Sequence, residues 1–437
     1  MKSVLLALAL TLAACGQGTS AQDPGYGANP SLPAPQSGGL PVVNPARAVG
    51  WPDDAAPIAP EGFVVTRYAE ALDHPRWIYL LPNNDVLVAE SATRPARGNG
   101  IMDWIRNSVE RNAGALPDSA DRITLLRDSD LDGDVDERHV FAEHLNQPFG
   151  MLLLGEYLYV ANTDAVVRFR YTTNAVRVTG RGETVLELPY REGDNGHWTR
   201  NLIANESGTK LYVAVGSASN IADHGMDAEE GRAAIWEFNP DGSGARIYAS
   251  GLRNPVGMGW ASDTGMLWVA VNERDMLGDN LVPDYMTSVR EGGFYGWPYS
   301  YFGQNVDARV QPQRPDLVAT AIAPDYALGA HTASLGLYFY QYDRFPEHYL
   351  GGAFIGQHGS WNRSEPAGYK VVFVPFTRGA PSGQVEDFLT GFLNARGEAQ
   401  GRPVGVAMDQ TGALLVADDV GDIIWRVAAR PEPPAPD

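Results

Sequence analysis

The sequence contains a single cysteine, so it can form no internal disulfide and no zinc site built on several cysteines. It has no Gly-x-Gly-x-x-Gly turn between a strand and a helix and no Gly-x-Ser-x-Gly motif, the usual signals of a dinucleotide-binding fold and of a serine hydrolase. Positive charge is also scarce, with 33 Lys and Arg against 53 Asp and Glu and a net charge of −20. Nucleic acid is therefore excluded as an expected partner, because its binding requires a basic surface.

Long hydrophobic runs are missing except at the start, where Val4 to Leu12 follow Met1-Lys2. About ten apolar residues are too few for a permanent membrane span, which needs about 20, but they suit a removable signal peptide. The run ends in Leu-Ala-Ala before Cys15, which is typical of a bacterial lipoprotein processing site. The sequence therefore predicts a lipoprotein signal peptide over residues 1–15 with lipid on Cys15, an ordinary signal peptide being the alternative. Because residue 16 is Gly rather than Asp, we expect anchoring in the outer membrane, with the folded domain facing the periplasm.

The segment after this signal is rich in Gly, Pro, Ser, Ala and Asn and poor in large apolar side chains. Such a composition cannot bury enough surface to fold alone, so residues 16–50 are predicted to form a disordered tether. Residues 51–437 are then predicted to form the folded domain. They contain no second linker although they exceed the usual size of a single-core domain, and a closed repeat architecture would explain this.

One pattern recurs along the domain: a polar residue or two, a short apolar strand, an Asn, Asp or Gly turn, and a second apolar strand that ends near Val-Ala. Further strand candidates follow each copy. The sequence therefore predicts an all-β fold, a six-bladed β-propeller of four-stranded antiparallel blades. A single amphipathic helix is predicted over 101–111, as an insertion in the first blade. The six copies begin at His74, Gln147, His197, Asn254, Ser334 and Arg402.

In a propeller, the residues that open the innermost strands lie near the central channel. Here those positions are cationic and polar although the whole chain is acidic, which favours an anionic ligand held by charge-assisted hydrogen bonds. Each of them taken singly could instead be a strand-end residue paired with a nearby acid. The residues concerned are His74, Arg76, Gln147, His197, Arg200, Asn201, Arg253, Asn254, His331, Thr332 and Arg402.

Three phrases carry a resemblance to a known family: Gly251 to Pro255, Gly292 to Pro298 and Gly356 to Arg363. With them the chain resembles the soluble aldose and glucose dehydrogenases that depend on pyrroloquinoline quinone, in their sorbosone dehydrogenase-like branch. The resemblance covers about residues 60 to 428. It implies oxidation of a small sugar or sugar aldehyde, hydride transfer to the quinone, and an electron acceptor that remains unidentified.

By this resemblance, His197 matches the base that removes the hydroxyl proton, a role that suits an imidazole near neutral pH. Arg253 and Asn254 match the pair that contacts the quinone oxygens, and Arg253 would also stabilise charge that develops during hydride transfer. Arg402 looks like the arginine that grips a cofactor carboxylate. A hydrogen-bonded structural histidine is the alternative for His197.

The resemblance also implies three further contacts, one of which has two candidates. Lys370 and Arg363 compete for the position of a cofactor-binding lysine. Gln147 matches a residue beside the substrate, with a catalytic role, and Thr332 one beside the cofactor.

Two calcium sites are expected. The family binds calcium partly through backbone carbonyls of a loop that here contains Glu273 and Arg274. The run 128–137 has alternating carboxylates like the first half of a calcium loop, although His139 stands where a bidentate Glu would complete it. An acidic solvated turn is the alternative for this run. Its predicted calcium ligands are Asp128, Asp130, Asp132 and Asp134.

Two other functions stay open at the level of sequence. Six-bladed propellers also include sugar lactonases with a catalytic divalent ion in the channel, and those channels are acidic. A non-catalytic surface propeller that binds a glycan or a protein would use the tether and the lipid equally well.

Overall fold

Six antiparallel sheets follow one another along the chain, and together they form the predicted six-bladed β-propeller. The structure is a computed structural model, and it describes residues 25–36, 42–95, 101–191 and 195–430, with the backbone alone for 101–106. Within these ranges no helix is long and apolar enough to cross a bilayer. The predicted signal peptide and its Cys15 lie outside the described residues.

The first three blades follow chain order from the channel outward. Blade 1 consists of Pro75–Leu80, Val86–Glu90, Arg122–Arg127 and Glu137–Ala142. Blade 2 consists of Met151–Leu154, Tyr157–Ala161, Ala165–Arg170 and Glu183–Glu187. Blade 3 consists of Leu202–Ala204, Leu211–Val215, Ala234–Phe238 and Arg246–Ser250.

Among the last three blades, blade 4 has a fifth strand at its edge and blade 6 takes its outermost strand from the beginning of the domain. Blade 4 consists of Pro255–Ala261, Met266–Val271, Pro283–Ser288 and Tyr326–Ala330, with Tyr26–Gly27 added at its edge. Blade 5 consists of Tyr338–Phe339, Ala353–Gln357, Lys370–Val374 and Glu386–Leu389. Blade 6 consists of Pro403–Met408, Leu414–Asp418, Ile423–Ala429 and Phe63–Ala69.

The outermost strand of blade 6 comes from the beginning of the domain. Phe63–Ala69 pairs antiparallel with Ile423–Ala429, so the first and last strands of the propeller lie side by side. This pairing closes the ring and leaves no exposed edge at the junction. It involves strands almost the whole domain apart in sequence, which the local repeat pattern does not reveal.

The burial of each strand follows its place in the blade. Every residue is buried in Val86–Glu90, Leu211–Val215 and Leu414–Asp418, which are second strands covered by neighbouring blades on both faces. The outer strand Glu183–Glu187 has no buried residue. The continuous apolar runs of the sequence therefore mark the inner layers of the propeller.

Because each blade has four antiparallel strands, two kinds of loop meet at one end of the propeller. The links from one blade to the next and the loops between second and third strands both lie at the end where the innermost strands begin. We call this end the channel face. The predicted helix is present as Ile101–Asn112, inside the loop between the second and third strands of blade 1, and it therefore lies on this face.

The remaining elements are short. They are the 3-10 helices Met226–Glu229 and Glu347–Tyr349, the helix Pro315–Val318, the strand pair Ser300–Tyr301 and Asn305–Val306, and the strand pair Phe376–Thr377 and Ala380–Pro381.

The described parts of the predicted tether do not form a free linker. Tyr26–Gly27 pairs with the outer strand of blade 4, and the Gln36 backbone N–H donates to Leu277 O over 2.9 Å. Residues 42–50 then run along blades 5 and 6, where Ala46 is buried. The polar composition that indicated disorder is compatible with order here, because backbone hydrogen bonds to the propeller replace a separate core. The part of the chain that is bound to the propeller thus begins well before residue 51.

Candidate active site

His197 lies in the link that enters blade 3, on the channel face. Its Nδ1 is 3.0 Å from the backbone oxygen of Ser217 and 2.9 Å from the Ser217 hydroxyl oxygen. A carbonyl oxygen can only accept, so Nδ1 carries the proton of the neutral ring and Nε2 carries the lone pair. Burial, followed by the nearby charge of Arg253, holds the pKa of His197 well below its usual value. The ring is therefore neutral near pH 7, with a basic nitrogen.

This geometry depends on a glycine. A Cβ at Gly216 would lie 2.5 Å from the Cβ of His197 and 2.4 Å from Oδ1 of Asn254. Only a residue without a side chain lets these two groups approach the same stretch of backbone. Asn254 Oδ1 is buried and has no protein donor.

Arg253 is buried, and protein acceptors surround its guanidinium. Nη1 donates to Glu273 O over 2.7 Å and also approaches Asn272, while Nε donates to the backbone oxygen of Asn220 over 3.3 Å. Nη2 donates to the Asn220 side-chain oxygen over 3.0 Å and lies 3.2 Å from Asp275 Oδ2. The predicted contact between Arg253 and a ligand would therefore require it to exchange one of these partners.

Asp275 joins Arg253 to His331. The two ring nitrogens of His331 face Asp275 Oδ1 at 3.1 Å and Gly278 O at 3.0 Å, both acceptors. Burial opposes a charged ring, but the hydrogen bond and the charge of Asp275, together with the Gly278 carbonyl, outweigh it and raise the pKa of His331. The pKa of Asp275 is lowered despite its burial, because His331 and Arg253 stabilise the carboxylate. A buried carboxylate between two cations thus borders the site.

Asp284 holds together the loop that contains Glu273 and the link that contains Thr332 and Ser334. Its carboxylate accepts hydrogen bonds from the Glu273 N–H at 2.8 Å, the Ser334 N–H at 2.8 Å and the Thr332 hydroxyl at 3.0 Å. Thr332 is fully buried, so its hydroxyl holds the loop rather than facing the channel. Burial raises the pKa of Glu273 to about 7, and its carboxyl group accepts the Arg274 N–H.

A second charged group surrounds Asp419, between blades 1, 5 and 6. Its carboxylate binds Arg76, lies 3.3 Å from His74 Nε2 and accepts from His358 Nε2 at 2.8 Å. The pKa of Asp419 is strongly lowered although burial opposes this, because His358, His74 and Arg76 surround the carboxylate. Burial lowers the pKa of His74 to about 4 and also lowers that of His358. The net charge of the group near pH 7 is therefore set by Arg76 and Asp419.

Arg402 is buried beside this group. Its guanidinium stacks on the ring of Tyr369, 4.8 Å from the centroid, and its Nη2 donates to Ala46 O over 3.2 Å. Nε of Arg402 is buried without an acceptor, and so is Nε of Arg76. These two arginines, unlike Arg253, keep N–H groups that no protein atom satisfies, a costly arrangement unless a ligand completes it.

The backbone is unusual where three of these residues stand. His74, Gln147 and His331 have φ angles of 59°, 47° and 61°, in the left-handed region that residues other than glycine rarely adopt. All three lie in links that enter a blade at the channel face. Such conformations cluster at functional sites.

The other predicted site residues divide clearly. Gln147 is buried, and its Nε2 donates to Ala92 O over 2.8 Å, so it ties together the loops of blades 1 and 2. Arg363 donates to Asp279 O over 3.0 Å, next to the Gly278 carbonyl that binds His331. Lys370, in contrast, pairs with Asp387 on the outermost strand of blade 5, away from the channel. Both competitors lie at the same end of blade 5, but only Arg363 contacts the loop that binds His331.

The two metal predictions also meet the structure differently. The side chain of Arg274 pairs with Asp307 at 2.6 Å and does not face the channel. In the acidic run, carboxylate oxygens of Asp128, Asp130 and Asp136 lie within 4.8 Å of one another. The predicted ligands Asp132 and Asp134 do not belong to that group, whereas Asp136 does. This loop joins the third and fourth strands of blade 1, at the end opposite the channel face.

With the site described, comparison with known proteins becomes informative. The sequence matches the model of the family described as TrAA12-like over residues 57–291 and 310–429. The chain belongs to the TrAA12-like family. The match begins after residues 25–51, so the N-terminal segment that packs on the propeller lies outside it.

Three known proteins are similar to this TrAA12-like chain. An uncharacterized protein of Borreliella burgdorferi is 26% identical over 364 residues, covering 80% of this chain and 95% of the relative. The holo form of the pyranose dehydrogenase PQQ domain from Coprinopsis cinerea aligns with TM-score 0.69 and 21% identity, over 87% of this chain and 98% of that one. The calcium structure of the Trichoderma reesei carbohydrate-active enzyme of family AA12 aligns with TM-score 0.69 and 19% identity, over 90% of this chain and all of the other. The likeness to these structures shows the fold.

Several residues of the candidate site had no individual role in the sequence analysis. His358, Asp419 and Asp275 follow second strands, whereas the cationic and polar set was drawn from residues at the start of first strands. An acidic or basic residue within four positions of the end of each second strand is the signal that could have found them. Because an antiparallel blade returns to the channel face after its second strand, these loops were candidates of equal rank.

Proposed function

We propose that this protein is a quinoprotein dehydrogenase that oxidises an aldose or a sugar aldehyde with pyrroloquinoline quinone. One observation carries the proposal: the ring of His197 is neutral, and its Nε2 carries no proton. The ring lies at the channel face, beside the group formed by Arg253, Asp275 and His331. A base in that state is what removal of a hydroxyl proton requires. The pyranose dehydrogenase domain named above, which shares the fold, supports the same chemistry.

The residues fit this cofactor. Pyrroloquinoline quinone is a planar tricarboxylate, and carboxylates are best bound by arginine N–H groups. Arg402 and Arg76 provide buried N–H groups that have no protein acceptor. These two guanidinium groups would hold cofactor carboxylates, and Arg253 would contribute charge from its fixed position.

The chemistry then divides between cofactor and protein. Pyrroloquinoline quinone, when bound, would supply the acceptor for the hydride, which carries two electrons and one proton from the substrate carbon. His197 removes the proton of the substrate hydroxyl through Nε2, and the Ser217 oxygens keep its Nδ1 protonated. The imidazolium that forms lies near the carboxylate of Asp275, which favours the charged ring. The protein thus moves one proton at a fixed atom.

Calcium in the loop of Glu273 fits less well. The Glu273 carbonyl accepts from Arg253 Nη1 at 2.7 Å, and the Asn272 carbonyl lies 3.3 Å from the same nitrogen. These carbonyls face a guanidinium, so a metal would have to displace it, and we derive no step through calcium here.

The alternatives find less support at this face. A lactonase with a channel metal needs several carboxylate or imidazole ligand atoms close together. In the described part of the chain, three such atoms that all lie within 4.8 Å of one another occur only in the loop of Asp128. A non-catalytic propeller would not require a neutral base with a fixed tautomer. The dehydrogenase is therefore the function that we propose over these two alternatives.

Purified full-length protein should be mixed with pyrroloquinoline quinone and a panel of aldoses and sugar aldehydes. Bound cofactor that bleaches on addition of one sugar, with dye reduction lost in His197→Gln, supports the proposal. Absence of cofactor binding at micromolar concentrations would overturn it, and lactone hydrolysis would be tested next.

We also infer export and a lipid anchor at Cys15, in the outer membrane and facing the periplasm. The sequence Leu-Ala-Ala-Cys supports this. Metabolic labelling with a fatty acid in cells that produce the natural protein and the Cys15→Ser variant tests it. Equal label in both would contradict the anchor.

A further inference from the structure

A short N-terminal segment lies against the cofactor-binding arginine that the site suggests. We call residues 42–51 the strap. The strap crosses the channel face from blade 5 to blade 6, where the Asn44 N–H donates to Trp361 O over 2.7 Å and the Val49 N–H donates to Ala399 O over 2.8 Å. The Ala48 N–H donates to Asn112 O over 3.0 Å, at the end of the inserted helix. The strap precedes residue 57, where the family match begins.

Three links connect the strap to Arg402. Ala46 O accepts from Arg402 Nη2 at 3.2 Å. The Ala46 N–H donates over 3.2 Å to the hydroxyl of Tyr369, whose ring lies under the same guanidinium. The third link runs through Asp418, which accepts the Trp51 indole N–H at 2.6 Å and the Arg402 backbone N–H at 2.7 Å.

Trp51 is the firmest of these anchors. Its ring packs edge to face on Trp425 and Phe392, with centroid distances of 5.1 and 5.4 Å. The carboxyl group that it binds is fully buried. The same Oδ2 of Asp418 also accepts the Trp425 indole N–H at 3.0 Å, so Trp51 is one of two indole donors that satisfy this buried oxygen. Loss of either donor is costly in a buried group, which holds the end of the strap in place.

We propose that the strap positions Arg402 for an anionic ligand, and that Trp51 and Tyr369 are positioning residues of the cofactor site; this inference rests on the proposed function. An arginine side chain loses substantial conformational freedom when it binds a carboxylate. With Nη2 on Ala46 and the plane on Tyr369, the guanidinium is fixed before the ligand arrives. Nε remains free of protein acceptors and available to a carboxylate.

The consequence is that weakening the strap weakens cofactor binding without touching a residue that contacts the cofactor. Loss of one fixing hydrogen bond should raise the Kd for pyrroloquinoline quinone about tenfold. The strap also offers an independent signal. The side chain of Arg47 is 62% exposed, so trypsin can cut after it once the backbone bonds of the strap open.

The test compares full-length wild type with Trp51→Phe, which removes the indole N–H but keeps an aromatic ring, and with Tyr369→Phe, which removes the hydroxyl but keeps the stacking. Trp260→Phe is the matched control, because the Trp260 indole donates to Ala204 O over 2.7 Å between blades 3 and 4. For each protein, the Kd for pyrroloquinoline quinone is measured by fluorescence quenching, and the rate of tryptic cleavage after Arg47 is measured without ligand.

We expect both strap variants to show a raised Kd and faster cleavage after Arg47, and Trp260→Phe to match wild type in both. Faster cleavage with an unchanged Kd overturns the proposal while leaving the dehydrogenase in place, as does a raised Kd of equal size in Trp260→Phe. Unchanged cleavage and Kd in Trp51→Phe and Tyr369→Phe also overturn it. If wild type itself binds no cofactor, the proposed function fails, and the strap proposal fails with it.

Discussion

His197 Nδ1 lies 3.0 Å from the carbonyl oxygen of Ser217 and 2.9 Å from the hydroxyl of the same residue. That hydroxyl donates its own proton to Ser219 O over 2.7 Å, so it can only accept from the ring. The tautomer of His197 is therefore fixed by two acceptors on a single neighbour. The loop that holds them is in turn fixed by Glu229, whose carboxylate accepts the Ala218 N–H at 2.7 Å.

Replacing His197 with glutamine should reduce kcat/KM for the sugar by roughly 10²- to 10⁴-fold, because general-base catalysis typically contributes that much. Cofactor binding should change little, since the ring is assigned to the substrate proton. Stopped-flow reduction of the bound quinone measures the chemical step, and a titration of the cofactor serves as the control. A variant that keeps more than a tenth of the wild-type rate would remove His197 from the role of base.

The pH dependence follows from the lowered pKa of His197. The base must be deprotonated, and a lowered pKa extends the deprotonated range to lower pH, so kcat/KM should stay constant as the pH falls to 6.5 and decline only below it. Ser217→Asp would place a carboxylate next to Nδ1, raise the pKa and move the decline to higher pH. Ser243→Ala, in an exposed turn, is the control for loss of a serine hydroxyl. An acid limb that is the same in Ser217→Asp and wild type would show that another group controls it.

The fold was predictable because its cause is local and repeated. Alternating apolar strands and Asn or Gly turns recur six times, and the number of blades follows from counting them. Closure of the ring was not predictable in this way, because Phe63–Ala69 has no turn that joins it to its partner strand. Order in residues 42–50 was missed for a related reason: their stability comes from bonds to distant residues such as Ala399, not from their own composition.

The site was predictable where a residue opens a first strand, as with His197 and Arg402. The partners of those residues were not, because Ser217 follows a second strand and Asp418 ends one, and only the folded blade brings them back to the channel. Lys370 was a candidate only through the resemblance, in competition with Arg363. It begins a third strand, and its side chain pairs with Asp387 on the outermost strand, which sequence alone does not indicate.

Asp419→Asn should lower the free energy of unfolding by about 3–5 kcal/mol, because it removes the charge that balances the buried Arg76. Asp387→Asn is the matched control, since its partner Lys370 lies on the surface and such pairs contribute about 0–1 kcal/mol. Urea unfolding of both variants at pH 7 measures the difference. Equal effects would mean that the pair of Asp419 is more hydrated than its burial indicates.

The acidic loop of blade 1 allows a test of the calcium prediction. If calcium binds there, 1 mM calcium, roughly the range of weak extracellular sites, should raise the Tm. The geometry predicts that Asp136→Asn abolishes this rise, because its carboxylate lies with those of Asp128 and Asp130, whereas Asp134→Asn preserves it. Differential scanning calorimetry with and without a chelator gives the comparison. No rise in wild type would favour the solvated acidic turn.

Arg402 and Arg76, whose Nε groups are buried without a protein acceptor, allow the cofactor contacts to be ranked. Arg402→Met removes a buried guanidinium next to the proposed anionic ligand, and it should raise the Kd for pyrroloquinoline quinone by 10²-fold or more, since charged hydrogen bonds contribute about 1.5–3 kcal/mol each. Arg76→Met should weaken binding less, because loss of Arg76 favours a proton on His74 or His358 beside Asp419, and that proton would restore the positive charge next to the ligand. Lys370→Met should leave the Kd unchanged, since its ammonium is bound to Asp387 on the outer strand. Fluorescence titration of the three variants measures the order. A Kd raised as much by Lys370→Met as by Arg402→Met would contradict the assignment of Arg402, and not Lys370, as the contact of a cofactor carboxylate.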